Sequence, residues 1–551
     1  MTPDDRPAHH DPGSPEQTPP ATATRRRGLT SGALMRLGAA LAAMALGALA
    51  AAAHPPFGLL PGFLAYPALI LLAERTRTGR GAVYLGWLAG FTYFFISCWW
   101  VAEAFLVNAE AHAWMAPFAA ALLPAGLALF WGAALGLYRR LHTPGHALRP
   151  LLFAFIFCAF EWLRGTILTG FPWNPAGAAW AAGSAASQFA AVTGIYGLSL
   201  VTVAAFSLLG APFGPGALKP RMGAAVVGAA LLAALILGGQ MRLNGARPES
   251  GDTVVRIVQA DVQQQAKWDA ANFEAIVQRY VNLTARPGAQ TPDVILWPEG
   301  ALPTTANEAF ADGSPVGQAM ARALQPGQTL LAGFSRAAPD SQGGWRYFNS
   351  LYALTSEGDA GLRISGVYDK HRLVPFGEYL PLAGLMSATG LRSLVHMPAD
   401  YSPGPSPAPL SLPDLPGVQP LICYESLYPG FTPGGRDRPQ WIANVSNDAW
   451  FGQTSGPIQH LNLASYRAIE TGLPMARATP TGVSALVDPW GRVVEGKRLE
   501  PGESGVIDAR LPRPLPPTPY SRFGDLGFAL MMLTAALLGF RRLPSRRRKL
   551  Y

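Results

Sequence analysis

Eight apolar runs constrain this chain more than anything else in it. They lie near residues 35–53, 57–73, 81–106, 113–137, 150–168, 188–211 and 222–240, with a last one at 522–540. A spanning helix needs about 20 predominantly apolar residues, so the runs predict a polytopic α-helical membrane domain of about eight transmembrane helices. The second run is short and holds Pro61 and Pro67, which points to a kink or a partial re-entrance. Low charge agrees with this reading. Asp, Glu, Lys and Arg make up 14% of the 551 residues, against about 25% in an ordinary soluble chain. Three cysteines, Cys98, Cys158 and Cys423, are too few for a disulfide framework. The basic residues gather beside apolar runs, which is the pattern of a membrane protein and not the groove of a nucleic-acid binder.

Composition divides the chain further. Residues 1–33 are polar, Pro-rich and aperiodic, and read as a disordered N-terminal tail. Residues 34–240 form the membrane domain with seven spans. Residues 250–510 carry the charges and strand patterns of a globular domain. The C-terminal span at 522–540 leads into a basic tail, 541–551, with Arg541, Arg542, Arg546, Arg547, Arg548 and Lys549. The first run, ending in Ala51-Ala52-Ala53 behind Arg25-Arg26-Arg27, is long for a signal peptide and is read as an uncleaved anchor.

Loop charge gives an orientation. With the N-terminus inside, the inner segments hold Arg25, Arg26, Arg27, Arg36, Arg75, Arg77, Arg80, Arg139, Arg140, Arg149, Lys219, Arg221 and the six basic residues of the C-terminal tail. The three short outer loops hold no Lys or Arg, and Arg164 lies at the outer end of the fifth helix. Seven spans then place the globular domain outside the cytoplasm and both termini inside. The arms of that domain carry Arg242, Arg247, Arg510, Arg513 and Arg522, which narrows the contrast without removing it.

Within 250–510, strands are predicted at Val254–Ala260, Val294–Trp297, Leu330–Phe334, Pro420–Ile422, Trp441–Val445 and Ser484–Val487. Phe273, Ile276, Val277, Tyr280 and Val281 form the apolar stripe of one helix, and Ile458–Glu470 reads as another, stopped by Gly472. Strands alternating with helices give a layered α/β domain.

Three strand ends carry unusual chemistry. Glu299 follows Trp297-Pro298, where partial desolvation raises a carboxylate toward general-base use. Lys370 lies in Tyr368-Asp369-Lys370-His371-Arg372 and offers an ammonium to an oxyanion. Cys423 in Leu421-Ile422-Cys423-Tyr424-Glu425 supplies a thiol followed by a free main-chain N–H. Each has a bland reading alone: a turn residue, a solvated charge, a small buried apolar group. Their order, each at its own strand end, carries the chemical reading. No paired His or Cys spacing marks a metal site, and His371 and His460 are read as structural.

The Glu299, Lys370, Cys423 series resembles the nitrilase, or carbon–nitrogen hydrolase, superfamily. Trp297-Pro298-Glu299, the stretch from Lys370 to Tyr379, Cys423-Tyr424-Glu425 and the stretch from Asn444 to Gly452 look more narrowly like the apolipoprotein N-acyltransferase family. So do His54-Pro55-Pro56-Phe57-Gly58, Phe171-Pro172-Trp173-Asn174 and Gln263 to Trp268. The resemblance covers roughly 34–540. It implies a nitrilase-like α-β-β-α sandwich beside the membrane helices, and no metal or cofactor. It implies acyl transfer in the inner membrane of a bacterium, from a phospholipid (typically phosphatidylethanolamine) to a diacylglyceryl apolipoprotein, by a monomer with its catalytic domain on the periplasmic side. It assigns Glu299, Lys370 and Cys423 to catalysis. Glu378 would be a further active-site acid, with Tyr379, Tyr424 and Glu425 lining the site. The alternative for these residues, Glu425 above all, is packing and ion pairing with Lys370 and Arg372. Trp268 would sit on a portal loop, or else in the core, and Trp450 and Phe451 would reach toward lipid. Two other classes stay open on residues alone: a membrane-anchored nitrilase-type amidase acting on a small nitrogen compound, and a transporter or receptor with an outer binding domain.

Overall fold

The computed structural model describes residues 31–341, 343–381 and 400–540. Of the expected polar tail only residues 31–33 are described, and they already belong to the first helix. The basic tail at 541–551 lies outside the described residues.

The N-terminal part is built from α1 (Ser31–Ala52), α2 (Ala65–Arg75), α3 (Gly79–Cys98), α4 (Ala116–Leu141), α5 (Arg149–Thr166), α6 (Ala190–Leu209) and α7 (Leu218–Leu243). With short helical extensions, six of the described helices are long and apolar enough to cross a membrane. The run expected at 57–73 is not one of them. Pro61 opens a 3-10 turn, Leu60–Leu64, and α2 then runs for only 11 residues. Proline lacks the N–H that would join these pieces into one long helix. The outward faces are apolar, with Leu122, Leu129, Leu237 and Met241 each more than 60% exposed, as lipid contact requires. The α3–α4 pair packs closely because its contact face is small. A Cβ on Gly86 would lie 2.8 Å from the Trp131 carbonyl oxygen, so glycine is needed there.

The second part holds two sheets. Strands β1 (Ser250–Gln259), β2 (Val294–Leu296), β3 (Thr329–Pro339), β4 (Trp345–Ser356) and β5 (Leu362–Asp369) join the late strand β11 (Gly505–Pro512) in the order β11-β1-β2-β3-β4-β5. Strands β6 (Val418–Ile422), β7 (Trp441–Val445), β8 (Met475–Ala478), β9 (Ser484–Val487) and β10 (Val493–Leu499) form the other, in the order β10-β9-β8-β7-β6.

Alternation along each strand explains the layers. Val255, Ile257, Leu296, Leu331 and Leu351 meet Val418, Ile422, Ala443, Val445 and Ala476 between the sheets. The intervening residues, such as Val258, Ile295, Trp297 and Leu330, turn outward against α8 (Phe273–Ala285) and α9 (Pro315–Ala323). On the far side Leu421, Ile442 and Met475 pack on α10 (Gly456–Thr471), which ends at Gly472 in the left-handed conformation. The result is an α-β-β-α sandwich.

Helix α10 is buried on both sides. Leu461, Ala464 and Ala468 face the sheet, while Leu463, Tyr466 and Ile469 join the core of the membrane helices. Polar residues stitch the seam. Gln459 accepts from the Trp173 indole N–H at 2.8 Å and donates to the Pro55 carbonyl at 3.0 Å. Asn462 bonds the main chain of Ala178 and Ala182 at 2.9 and 2.8 Å. The chain returns through α11 (Leu526–Gly539), 14 residues long and apolar, which packs against α5 and α6.

Candidate active site

The three strand ends converge. Glu299 follows β2, Lys370 follows β5, and Cys423 follows β6. Lys370 is buried, and its Nζ lies 3.2 Å from Glu299 Oε1 and 3.0 Å from Glu378 Oε1. Burial opposes its charge, but the two carboxylates outweigh burial and hold its pKa well above the ordinary lysine value. Asn349, on β4, donates its amide to Glu299 Oε1 at 2.6 Å and to Glu378 Oε1 at 2.7 Å. The main-chain N–H of Asn447 reaches Glu299 Oε2 at 2.9 Å, and that of Val374 reaches Glu378 Oε2 at 2.8 Å.

Cys423 is the first residue of a 3-10 turn, Cys423–Leu427, and holds φ at +47°. A non-glycine residue in that region is uncommon and needs its surroundings to hold it. The Ser426 hydroxyl donates to the Cys423 carbonyl at 2.8 Å, and His460 Nε2 lies 3.3 Å from the same oxygen. The thiol bonds Ser446 and interacts with both Glu299 and Lys370. Burial, reinforced by Glu299, pushes the thiol up to about 12, against the opposing pull of Lys370 and Ser446. It rests protonated near neutrality, within electrostatic reach of the Glu299 carboxylate. The amides leading a helical turn have no partner within that turn, which leaves the Tyr424 N–H suited to an oxyanion.

The other expected residues take definite places. Glu378 belongs to the cluster. Tyr379 lies on the same loop, with its hydroxyl buried and unpartnered. Tyr424 donates its hydroxyl to the Gly170 carbonyl of the membrane part at 2.6 Å. Glu425 does not open onto the site. It is fully buried and accepts from the N–H groups of Ile422, His371 and Arg372 and from the Tyr368 hydroxyl, between 2.7 and 3.2 Å. It clamps the cysteine turn to the lysine loop, by main-chain contacts rather than the side-chain pairing expected. Burial pushes it up to about 7, against the pull of those N–H groups and Lys370. Trp268 is 66% exposed, which removes the core reading. Trp450 is partly exposed. Phe451 turns inward, 4.5 Å from the Trp100 ring and 5.6 Å from the His460 ring by centroid.

Three supporting features were not legible in advance. Asn349 is one. A buried relay behind the cysteine is the second: His460 Nδ1 lies 3.0 Å from Asp448 Oδ1, Arg477 pairs with Asp448 at 2.7 Å, and Ser446 donates to Asp448 at 2.7 Å. Burial alone would raise Asp448, but Arg477 and His460 hold it down at about 2. The third is Lys267, buried with its ammonium on the Gly300 carbonyl and lowered to about 8 by burial, against the pull of Glu299. Lys267 neighbours Trp268 in the Gln263 to Trp268 motif, the one local signal that pointed to it.

Residues 46–208 match the apolipoprotein N-acyltransferase N-terminal domain, and residues 255–515 match the carbon-nitrogen hydrolase family. An apolipoprotein N-acyltransferase of Caulobacter vibrioides is 51% identical over 514 residues, covering 92% of this chain and 94% of its own. The chain belongs to the apolipoprotein N-acyltransferase family. One from Rhodopseudomonas palustris is 37% identical over 529 residues, covering 93% of this chain and 96% of its own. Among solved structures, an amidase of the nitrilase superfamily from Nesterenkonia is 19% identical, covering 48% of this chain and 92% of its own, with a TM-score of 0.32. Membership makes the chain a membrane-bound acyltransferase of the carbon–nitrogen hydrolase superfamily, and favours that reading over a small-molecule amidase. The two membrane-part motifs quoted above meet at one place. Gln459 joins Pro55 to Trp173, and the Tyr93 hydroxyl lies 2.8 Å from His54 Nε2 while donating to the Asn174 carbonyl at 2.6 Å.

Proposed function

We propose that this chain moves the sn-1 acyl chain of a phospholipid, phosphatidylethanolamine in the first instance, onto the α-amino group of the N-terminal S-diacylglyceryl cysteine of an apolipoprotein. The observation that carries this is the meeting of Glu299, Lys370 and Cys423 at three strand ends, beside a seam with the membrane helices. Glu299 takes the thiol proton as Cys423 attacks the ester carbonyl. Lys370 and the Tyr424 N–H hold the oxyanion. Collapse breaks the ester C–O bond, Glu299 returns the proton to the leaving lysophospholipid hydroxyl, and a thioester remains on Cys423. The acceptor amine then attacks the thioester, yields its proton to Glu299, and the amide forms as the thiol is regenerated. The thioester keeps the activation of the ester, so the exchange balances without another reactant.

The arrangement proposed with it has a membrane domain at 34–240, a catalytic domain at 250–510 and a C-terminal span at 522–540. The catalytic domain lies on the periplasmic side of the bacterial inner membrane and both termini are cytoplasmic, with the short segment at 60–75 taken as the second of seven crossings before the domain, and the protein works as a monomer. The charge asymmetry of the loops supports the orientation.

Mass spectrometry of the purified protein after exposure to phosphatidylethanolamine tests the reaction. An acyl adduct on Cys423, discharged by a diacylglyceryl lipopeptide with formation of the triacylated product, is expected. An adduct formed only from a small amide, or none at all, would overturn the reading.

A further inference from the structure

We propose that the cleft beside Arg372 receives the phosphodiester of the phospholipid donor, and that Arg372 thereby distinguishes donor from acceptor. The proposal rests on the acyl-transfer reading above. Arg372 lies two residues beyond Lys370. Its main-chain N–H is fixed on Glu425, but its guanidinium is underused. One Nη reaches the Thr169 carbonyl only at 3.5 Å, the head lies over the Tyr428 ring at 5.0 Å, and Nε is buried without a hydrogen-bond partner. Among the described residues no carboxylate pairs with it. Glu425 is already taken up by Ile422, His371 and Tyr368.

Two further buried polar atoms nearby lack partners: the Tyr379 hydroxyl and the Thr169 hydroxyl. Tyr379 and Arg372 both act electrostatically on Tyr424, the residue after the cysteine. Unmet donors beside a cation are costly, and of these groups Arg372 is the one that lines the cleft, where its guanidinium can donate to a phosphate oxygen. The cleft, of about 250 Å³, is lined by His371, Arg372, Gly430 and Phe431, with Pro407 and Pro433 at its edges.

Depth argues for a lipid phosphate. Thr169 ends the short turn that follows α5, and Leu168 beside it is 91% exposed. An apolar side chain held fully outward at the end of a spanning helix marks the membrane interface, where head groups lie. In a phospholipid the phosphate and the sn-1 ester share one glycerol, so a phosphate at Arg372 brings the ester toward Cys423. The diacylglyceryl cysteine of the acceptor carries no phosphodiester, so the guanidinium favours the donor alone.

The test uses the full-length protein in nanodiscs or detergent, comparing phosphatidylethanolamine with 1,2-diacylglycerol, which keeps the ester and lacks the phosphate. Acylation of Cys423 is followed for wild type, Arg372→Gln and Arg372→Lys. Arg372→Gln should raise the KM for phosphatidylethanolamine relative to that for diacylglycerol by about tenfold or more, with Arg372→Lys recovering part of it. Losses equal for the two donors would make Arg372 a structural residue and overturn the inference alone. Inorganic phosphate that inhibits wild type but not Arg372→Gln, with the KM ratio unmoved, would assign the cleft to free phosphate and overturn the donor role. A wild-type protein that takes no acyl group from phosphatidylethanolamine would overturn the acyl-transfer reading as well.

Discussion

The main-chain N–H of Asn447 donates to Glu299 Oε2 over 2.9 Å, although the two residues follow strands of different sheets. Oε1 of the same carboxylate is held from its own sheet, by Asn349 and Lys370. The contact between the layers therefore sets how the carboxylate points.

Gly333 on β3 makes that dependence testable. A Cβ there would sit 2.6 Å from Glu299 Cα and 2.9 Å from the Gly300 nitrogen. Gly333→Ala must displace the Glu299 backbone, and a shift near 1 Å costs about a hundredfold in rate. Single-turnover acylation of Cys423 should slow by about that factor in a protein of near-normal Tm. An unchanged rate would show that β3 does not position Glu299.

Asn349 donates to two acids at once. Asn349→Ala leaves both carboxylates short of a donor, worth about 1–3 kcal/mol, so kcat should fall about 10–100-fold. Asn349→Asp, which adds a third acid to the cluster, should fall further. If the Asp variant outperforms the Ala variant in the same assay, the amide is not acting as a donor to Glu299 and Glu378.

The thiol should respond to its two charged neighbours in opposite directions. Since Glu299 raises its pKa and Lys370 lowers it, Glu299→Gln should move the pH midpoint of Cys423 alkylation down, and Lys370→Met should move it up. Each shift should be about one unit or more. In wild type the reaction with iodoacetamide should climb only at alkaline pH, because burial holds the thiol protonated below that. A Cys423 thiolate already formed at neutral pH would contradict the sequence of proton transfers given above.

Trp173→Phe keeps an aromatic ring but removes the indole N–H together with part of a buried side chain. Gln459 Oε1 then loses its partner, a cost of about 1 kcal/mol or somewhat more. Thermal unfolding in detergent should begin a few degrees lower, and acylation should weaken with it, because the Trp173 ring also packs 5.7 Å from His460. No change in Tm would mean that this bond contributes nothing to the seam.

Lys370 stood out by its Asp369-Lys370-His371-Arg372 motif and not by the strand before it, whereas Glu299 and Cys423 were readable because each follows an apolar run, and such runs survive in sequence. Trp441–Val445 and Ser484–Val487 came out as expected for the same reason. Strand β8, Met-Ala-Arg-Ala, was hidden because Arg477 breaks its apolar pattern. Its burial makes sense only beside Asp448, 29 positions away. β4 and β5 escaped because their exposed ends carry mixed polarity. Asn349 left no local trace, since its role exists only once β4 lies between the loops of Glu299 and Glu378. The run expected at 57–73 comes out as a 3-10 turn followed by the 11-residue α2, because Pro61 and Pro67 limit helix length in a way that hydropathy does not show.

Helix α10 lies between the sheet and the lipid-embedded helices, and it delivers His460 to the cysteine turn. Cut away from its partners, the α/β half would present Leu463, Tyr466 and Ile469 to water and lose the seat of the helix that steadies its nucleophile. One helix and its polar seam therefore couple the packing of the membrane part to the backbone that carries Cys423.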